Sequence, residues 1–311
     1  MPCTLNFLYF KKGMVINMEF KKQLQLKVEQ TENIIYGYLP KEEGLQKTVI
    51  EAMNYSVKAG GKRLRPLLMM ESYKLCGGSG KVVEPFMTAL EMIHTYSLVH
   101  DDLPALDNDE YRRGKKTTHA VYGETMGILA GDALLNYAFE VASTAFDIEF
   151  NPNVAKALKV LATKAGIYGM IGGQIADIES EGKKAPIETV EFIHRLKTGA
   201  LIEGAMKIGA ILAGASDEDA NKMESIGSDV GYAFQIQDDI LDVTGTTEVL
   251  GKPAGSDDKN EKSTYVSIKG LDIAKQDVEF LSGRAIETLK SFDGDYSFLS
   301  ELIDMLINRQ N

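Results

Sequence analysis

The chain has 311 residues, room for two average domains or one large one, and sets 34 Lys and Arg against 45 Asp and Glu for a net charge of −11. A field of that sign repels phosphodiester polymers and anionic membrane surfaces, so nucleic acid is excluded as an expected partner. A hydrophobic share of 44% suffices for a sizeable core, and two cysteines, Cys3 and Cys76, are too few for a disulfide framework or a thiolate metal site, which fits a reducing, cytoplasmic setting.

The opening MPCTLNFLYFKKG carries a short apolar patch, Leu5 to Phe10, with lysines after it rather than before it, the reverse of an export signal. Met14 and Met18 lie just ahead of the amphipathic EFKKQLQLKVEQ, so residues 1–17 are expected to be a poorly ordered leader and residues 18–311 the folded domain. No apolar run reaches the roughly 18 residues of a membrane span. Long proline-free stretches with apolar residues three and four apart predict helices over Phe86–Val99, Gly123–Ala145, Pro152–Glu179, Ile187–Ala213, Asp217–Val243 and Leu271–Leu289. Few stretches alternate with period two, and no Asn-Gly or Asp-Gly pair separates two β-branched runs. The predicted class is therefore all-α, and with no linker-like composition to divide it, a single large helical domain. The small residues in KAGIYGMIGGQIADI cost helix propensity, which predicts a close approach at Gly172 and Gly173.

Two acidic clusters stand out, HDDLPALD at 100–107 and QDDILD at 237–242. Asp238 and Asp242 differ by about 40° around a helix and share a face, with Asp239 close to Asp242. Like charges so placed repel unless a cation sits among them, and carboxylate oxygens around a bound phosphate describe a magnesium site. In the first cluster Pro104 cannot continue a helix interior, so the helix is expected to end at Asp102 and Asp107 to return on a loop toward Asp101. Either cluster alone equally describes a solvated acidic helix end; two of them at the ends of apolar helices favour a shared site. Basic residues complete the pattern. GGKRLRP at 60–66 supplies Lys62, Arg63 and Arg65 beside two glycines, and EYRRGKK at 110–116 supplies Arg112, Arg113, Lys115 and Lys116. Arginine forks match phosphate oxygens and glycines let backbone come close, although each stretch alone also reads as a basic surface loop. Together the clusters fit two phosphorylated substrates, one held through metal ions and one directly by Arg and Lys.

These residues resemble the trans-isoprenyl diphosphate synthases, the polyprenyl synthetase family, and most closely its bacterial farnesyl-forming branch. The resemblance runs from about Met18 to the C-terminus through GGKRLRP, EMIHTYSLVHDDLPALDNDEYRRGKKTTH, GDALL, GGQ, HRLKTG, FQIQDDILDVTG, LGKPAGSD and KSTY. It implies the all-helical isoprenoid synthase fold around a deep central cavity, two aspartate-rich motifs on opposite walls, a homodimer, and three Mg2+ ions with substrate bound. It further implies that Asp101, Asp107 and Asp238 ligate magnesium, with Asp102, Asp239 and Asp242 as supporting carboxylates. Arg112, Lys197, Thr198, Gln235 and Lys252 match contacts to the allylic diphosphate. Lys62, Arg65, His94 and Arg113 match the isopentenyl diphosphate site. The implied reaction is the 1′-4 condensation of isopentenyl diphosphate with dimethylallyl and then geranyl diphosphate.

Tyr96 lies five residues before Asp101, about 7.5 Å along a helix axis, with Ser97 beside it one turn beneath the aspartate. In the family an aromatic residue there, together with two extra residues in DDLPALD, marks the fifteen-carbon product; a geranylgeranyl synthase, with the same chemistry and a deeper floor, is the alternative. Asn108, Glu110, Glu261 and Val266 depart from the family pattern without touching the named ligands. A metal-dependent HD-type phosphohydrolase built on His94, His100 and Asp101 is a remote reading that leaves QDDILD and GGKRLRP unexplained.

Overall fold

The computed structural model describes residues 18–244 and 263–307. The expected leader 1–17, Lys252 and the departure at Glu261 lie outside the described residues. In chain order the elements are α1 (Met18–Gly37), α2 (Lys47–Lys58), α3 (Leu64–Leu75), α4 (Val83–Asp101), β1 (Tyr111–Arg112), β2 (Lys115–Lys116), α5 (Thr118–Tyr122), α6 (Glu124–Ser143), α7 (Ala145–Ile148), α8 (Pro152–Ala165), α9 (Met170–Ser180), α10 (Ile187–Ile193), a π-helical turn (His194–Gly199), α11 (Ala200–Leu212), α12 (Asp217–Thr244), α13 (Tyr265–Lys269), α14 (Leu271–Leu289) and α15 (Ser297–Ile307).

The helices α4 and α11 bury most of their residues, which makes them central. Phe86, Met87, Leu90 and Ile93 of α4 are completely buried, as are Leu201, Ala205, Met206 and Ile208 of α11. Around them α4 packs on α6, α3 packs on both α4 and α11, and α12 lies between α11 and α14. No described helix is long and apolar enough to cross a membrane.

The predicted helices are present, with two informative differences. Pro152–Glu179 is not one helix. α8 starts where the pattern says, with Asn151 Oδ1 accepting from the amides of Asn153 at 2.9 Å and Val154 at 3.2 Å and Pro152 in the first turn. It ends at Ala165, because Gly166 takes an extended conformation, and after a turn through the non-helical Gly169 the chain re-enters helix at Met170. Ile187–Ala213 stays continuous, but its middle is wound as a π turn, a form frequent at functional sites. The two-residue strands form a small antiparallel hairpin that period-two reasoning could not see, Tyr111 opposite Lys116 and Arg112 opposite Lys115. Arg113 and Gly114 both sit at positive φ, 52° and 74°, as in a type I′ turn.

Candidate active site

The first acidic segment closes as its proline demands. α4 ends at Asp101 with Asp102 as its cap, and the Asp107 amide returns to the Asp101 carbonyl at 2.9 Å. Asp101 faces a cavity of about 410 Å³ lined by the polar Arg65, His94, Gln174, Lys197 and Thr198 and by the largely apolar Tyr96, Leu135 and Met170. Burial, with Asp107 nearby, pushes the Asp101 carboxyl up to about 6 despite the opposing pull of Lys197. Gln174 Nε2 donates to its Oδ1 at 2.7 Å.

A second cavity of about 400 Å³ adjoins on the far side of Lys197, lined by Asp177, His194, Gln235, Asp238 and Asp239. Lys197 belongs to both cavities, so the two acidic clusters stand on either side of one ammonium group. Lys197 Nζ meets Asp177 Oδ2 at 2.5 Å, and Gln235 Nε2 donates to Asp238 Oδ2 at 3.2 Å. Asp238 and Asp239 reach the cavity, whereas Asp242 is buried a turn farther on and lines neither space. The π turn that carries Lys197 and Thr198 is held close by glycine: a Cβ on Gly173 would fall 2.1 Å from the Lys197 amide nitrogen, the close approach expected from GGQ.

The cations of GGKRLRP diverge. Arg63 is spent on structure, buried in the left-handed conformation with Nη1 on Glu91 at 2.8 Å, Nη2 on the Val57 carbonyl at 2.7 Å and Nε on Glu32 at 3.1 Å. Lys62 is exposed, and Arg65 turns to the cavity with its Nε buried and unpartnered. Burial lowers the Arg65 guanidinium to about 10, and burial together with Arg65 and Arg113 holds His94 well below the usual imidazole value, so the ring is neutral. On the hairpin, Arg112 Nε and Nη2 each reach Asp102 Oδ1 at 2.7 Å, while Arg113 Nη1 donates to the Gly60 carbonyl. The Arg113 head occupies the space a side chain at Gly61 would need, which ties the hairpin to GGKRLRP. Tyr96 is buried, its hydroxyl without a partner, and Ser97 Oγ donates to the His94 carbonyl at 3.0 Å.

Sequence reasoning missed Gln174 and Asp177, three apart on α9 and therefore on one face, the first toward Asp101 and the second toward Lys197. Their signal was present: GGQIAD sets two polar groups three apart directly after a glycine pair, within the stretch expected to approach a neighbour closely. The phosphohydrolase reading fails on geometry, since His100 Nε2 donates to the Ile128 carbonyl at 3.1 Å rather than joining Asp101.

No three His, Cys, Asp or Glu side chains among the described residues converge on a closed metal site. What stands there instead is an open, oxygen-only donor set, Asp101 and Asp107 on one side of Lys197 and Asp238 on the other. Hard divalent cations that keep places for phosphate oxygens take such ligands. The set fits magnesium held jointly with a diphosphate.

Comparison with known proteins agrees with this geometry. The polyprenyl synthetase family model matches residues 46–291. The chain is 42% identical to the farnesyl diphosphate synthase of Geobacillus stearothermophilus over 296 residues, 92% of this chain and 99% of the relative. It is equally 42% identical to the geranylgeranyl diphosphate synthase of Cyanophora paradoxa over 301 residues, 96% of this chain and 100% of the relative. Its fold superposes on the crystal structure of geranylgeranyl pyrophosphate synthetase from Pyrococcus horikoshii with a TM-score of 0.84, at 30% identity over 94% of this chain and 98% of that one. The two sequence relatives differ by one five-carbon unit in the product named, so identity does not separate the two lengths.

Proposed function

This chain belongs to the polyprenyl synthetase family and is a prenyl diphosphate synthase; from that premise we propose that it makes (2E,6E)-farnesyl diphosphate. Isopentenyl diphosphate is added first to dimethylallyl and then to geranyl diphosphate. The observation that carries the fifteen-carbon length is Tyr96: its buried side chain lines the same cavity as Asp101, Arg65 and Lys197. A chain growing away from Lys197 meets that ring.

The residues divide the work by charge. Asp101, Asp107 and Asp238 would hold magnesium, three ions in all, which supplies positive charge to the allylic diphosphate as its C–O bond breaks. Lys197 and Arg112, with Thr198 and Gln235, bind and orient that diphosphate. Arg65, whose buried Nε lacks a partner, gains one in the diphosphate of the isopentenyl substrate, with Lys62, Arg113 and neutral His94 around it. Asp102 supports the site through Arg112 and Asp239 through Tyr265, whose amide it accepts at 2.6 Å. The apolar lining excludes water from the allylic cation, and the departing diphosphate takes the proton lost after condensation. Two copies assemble as a homodimer, with Ile128 and Leu129 of α6 offering an exposed apolar face.

The test is direct. Pure protein is incubated with magnesium, isopentenyl diphosphate and each allylic starter, and the carbon number of the product is measured. Farnesyl diphosphate as the main product from both starters is expected; a twenty-carbon main product refutes the length, and no condensation with any starter refutes the reading.

A further inference from the structure

If Tyr96 sets product length, something must hold its ring against an advancing hydrocarbon chain. Its hydroxyl makes no hydrogen bond, so the ring is fixed by packing alone. One packing partner is His100, one helical turn on along α4, whose ring meets that of Tyr96 edge to face with centroids 5.8 Å apart at 81°. Unlike Tyr96, His100 is anchored. Its Nε2 donates to the Ile128 carbonyl of α6 at 3.1 Å, a bond that fixes which nitrogen carries the proton, and Asp132 stands 3.9 Å away.

The seat of that imidazole is a missing side chain. A Cβ placed on Gly131 would lie 2.0 Å from His100 Nε2, 2.3 Å from Cδ2 and 2.8 Å from Cε1, so the ring fills the volume that any other residue at 131 would take. One turn earlier on α6, a Cβ on Gly127 would lie 2.9 Å from Leu103 Cδ2, so the two glycines together make room for His100 near the end of α4 and for Leu103 just beyond it. One turn after Gly131, Leu135 lines the cavity beside Tyr96. His100 lines the same cavity. The imidazole thus stands at the junction of α4, α6 and the cavity, rigid on one side and against Tyr96 on the other.

We propose that His100, seated on Gly131, is a specificity-determining residue that acts through Tyr96: it braces the tyrosine ring and so limits how far the product chain extends. This rests on the prenyl-elongation reading above, and it locates part of the length control outside the tyrosine itself. Removing the brace leaves Tyr96 in place with room to swing, and a longer chain then displaces it.

The experiment compares product length for the wild type, His100→Ala, Gly131→Ala, Tyr96→Ala and the His100→Ala/Tyr96→Ala double variant, with total turnover and melting temperature measured on each. The expected result is a rise of at least about fivefold in the ratio of twenty- to fifteen-carbon product for His100→Ala. Gly131→Ala, which evicts the imidazole while removing no cavity side chain, should shift the ratio in the same direction. In the Tyr96→Ala background His100→Ala should add nothing, because a residue that works through the ring has no effect once the ring is gone. An unchanged ratio in a folded, active His100→Ala variant overturns the proposal. So does an equal further shift in the double variant, which would make His100 an independent wall. If the wild type condenses nothing, the elongation reading fails before the brace is tested, so the two failures are distinct. Should Gly131→Ala not fold, His100→Ala and the double variant still decide the matter.

Discussion

Gly173→Ala tests how the site is assembled. The added methyl would meet backbone, not a flexible side-chain end: the Lys197 amide nitrogen at 2.1 Å, its Cα at 2.7 Å and the Leu196 carbonyl carbon at 2.8 Å. Ordinary contact begins near 3.4 Å, so α9 and the π turn must part by ~1.3 Å. Overpacking of this kind costs about 1–3 kcal/mol, and alanine's better helix propensity offsets roughly 0.5–1 of that, leaving a net loss of about 0–2.5 kcal/mol. The effect on turnover is larger, because the Asp177–Lys197 contact spans the widened gap, and misplacing a binding group by about 1 Å costs on the order of 10²-fold. Steady-state kinetics with a diphosphate-release assay, beside thermal melting, should show kcat/KM for the allylic substrate down about a hundredfold and a melting temperature lowered by only a few degrees. Gly283→Ala is the control. Its Cβ would meet nothing within 4 Å, so it should leave kinetics alone and stabilise α14 by roughly 0.5–1 kcal/mol. Wild-type kinetics in Gly173→Ala would refute the claim that this contact sets the position of Lys197.

Replacing Arg65 by Met should lower kcat/KM for isopentenyl diphosphate by about 30-fold or more without lowering the melting temperature, because a buried guanidinium with an unpartnered Nε serves the ligand rather than the fold. Tyr96→Ala should lengthen the product, read by chromatography of the dephosphorylated alcohols; an unchanged length removes Tyr96 from the account. Chelation should abolish turnover yet leave the melting temperature of the unliganded chain unmoved, since no closed metal site among the described residues depends on the ion. At Glu224, burial opposes the charge but Lys164 at 2.8 Å and Lys207 at 2.5 Å more than offset it, and the carboxyl is held below its ordinary range. A depressed folded value stabilises above the unfolded one and loses that contribution as pH falls through the folded one. The melting-temperature gap between wild type and Glu224→Gln should therefore be widest near neutral pH and close in acid.

The helices were legible in the sequence because their apolar periodicity is what buries them. The break at Gly166 was not, since glycine inside a periodic pattern is as compatible with a close helix contact as with a turn. KAGIYGMIGGQIADI contains both: Gly173 lies against the π turn, while Gly166 and Gly169 end one helix and start the next. The hairpin escaped for a different reason. Its turn is Arg-Gly, with a non-glycine residue at positive φ, and the contact that accompanies it, the Arg113 guanidinium on the Gly60 carbonyl, reaches 53 residues back. Long-range contacts of that sort also decide why Arg63 faces Glu91 and Arg65 the cavity, a division that neighbouring positions in GGKRLRP do not announce.

The aspartate pairs show the same limit and go beyond it. Read as charge, Asp101–Asp102 and Asp238–Asp239 are two doubled carboxylates. In the fold each pair splits. Asp101 and Asp238 are half-buried at the cavities, while Asp102 and Asp239 are buried, Asp239 at the edge of the second cavity. The second aspartate of each pair holds a segment that follows it: Asp102 takes Arg112 of the hairpin, and Asp239 accepts the Tyr265 amide at the start of α13, with His194 Nε2 3.6 Å away. Adjacent residues on a helix point about 100° apart, so one doubled pair serves two directions at once, a ligand in front and a returning segment behind. This division predicts that Asp102→Asn and Asp239→Asn, unlike Asp101→Asn, raise substrate KM while leaving the magnesium concentration for half-maximal rate unchanged. A shift of that midpoint as large as the one in Asp101→Asn would place the second aspartates at the metal after all.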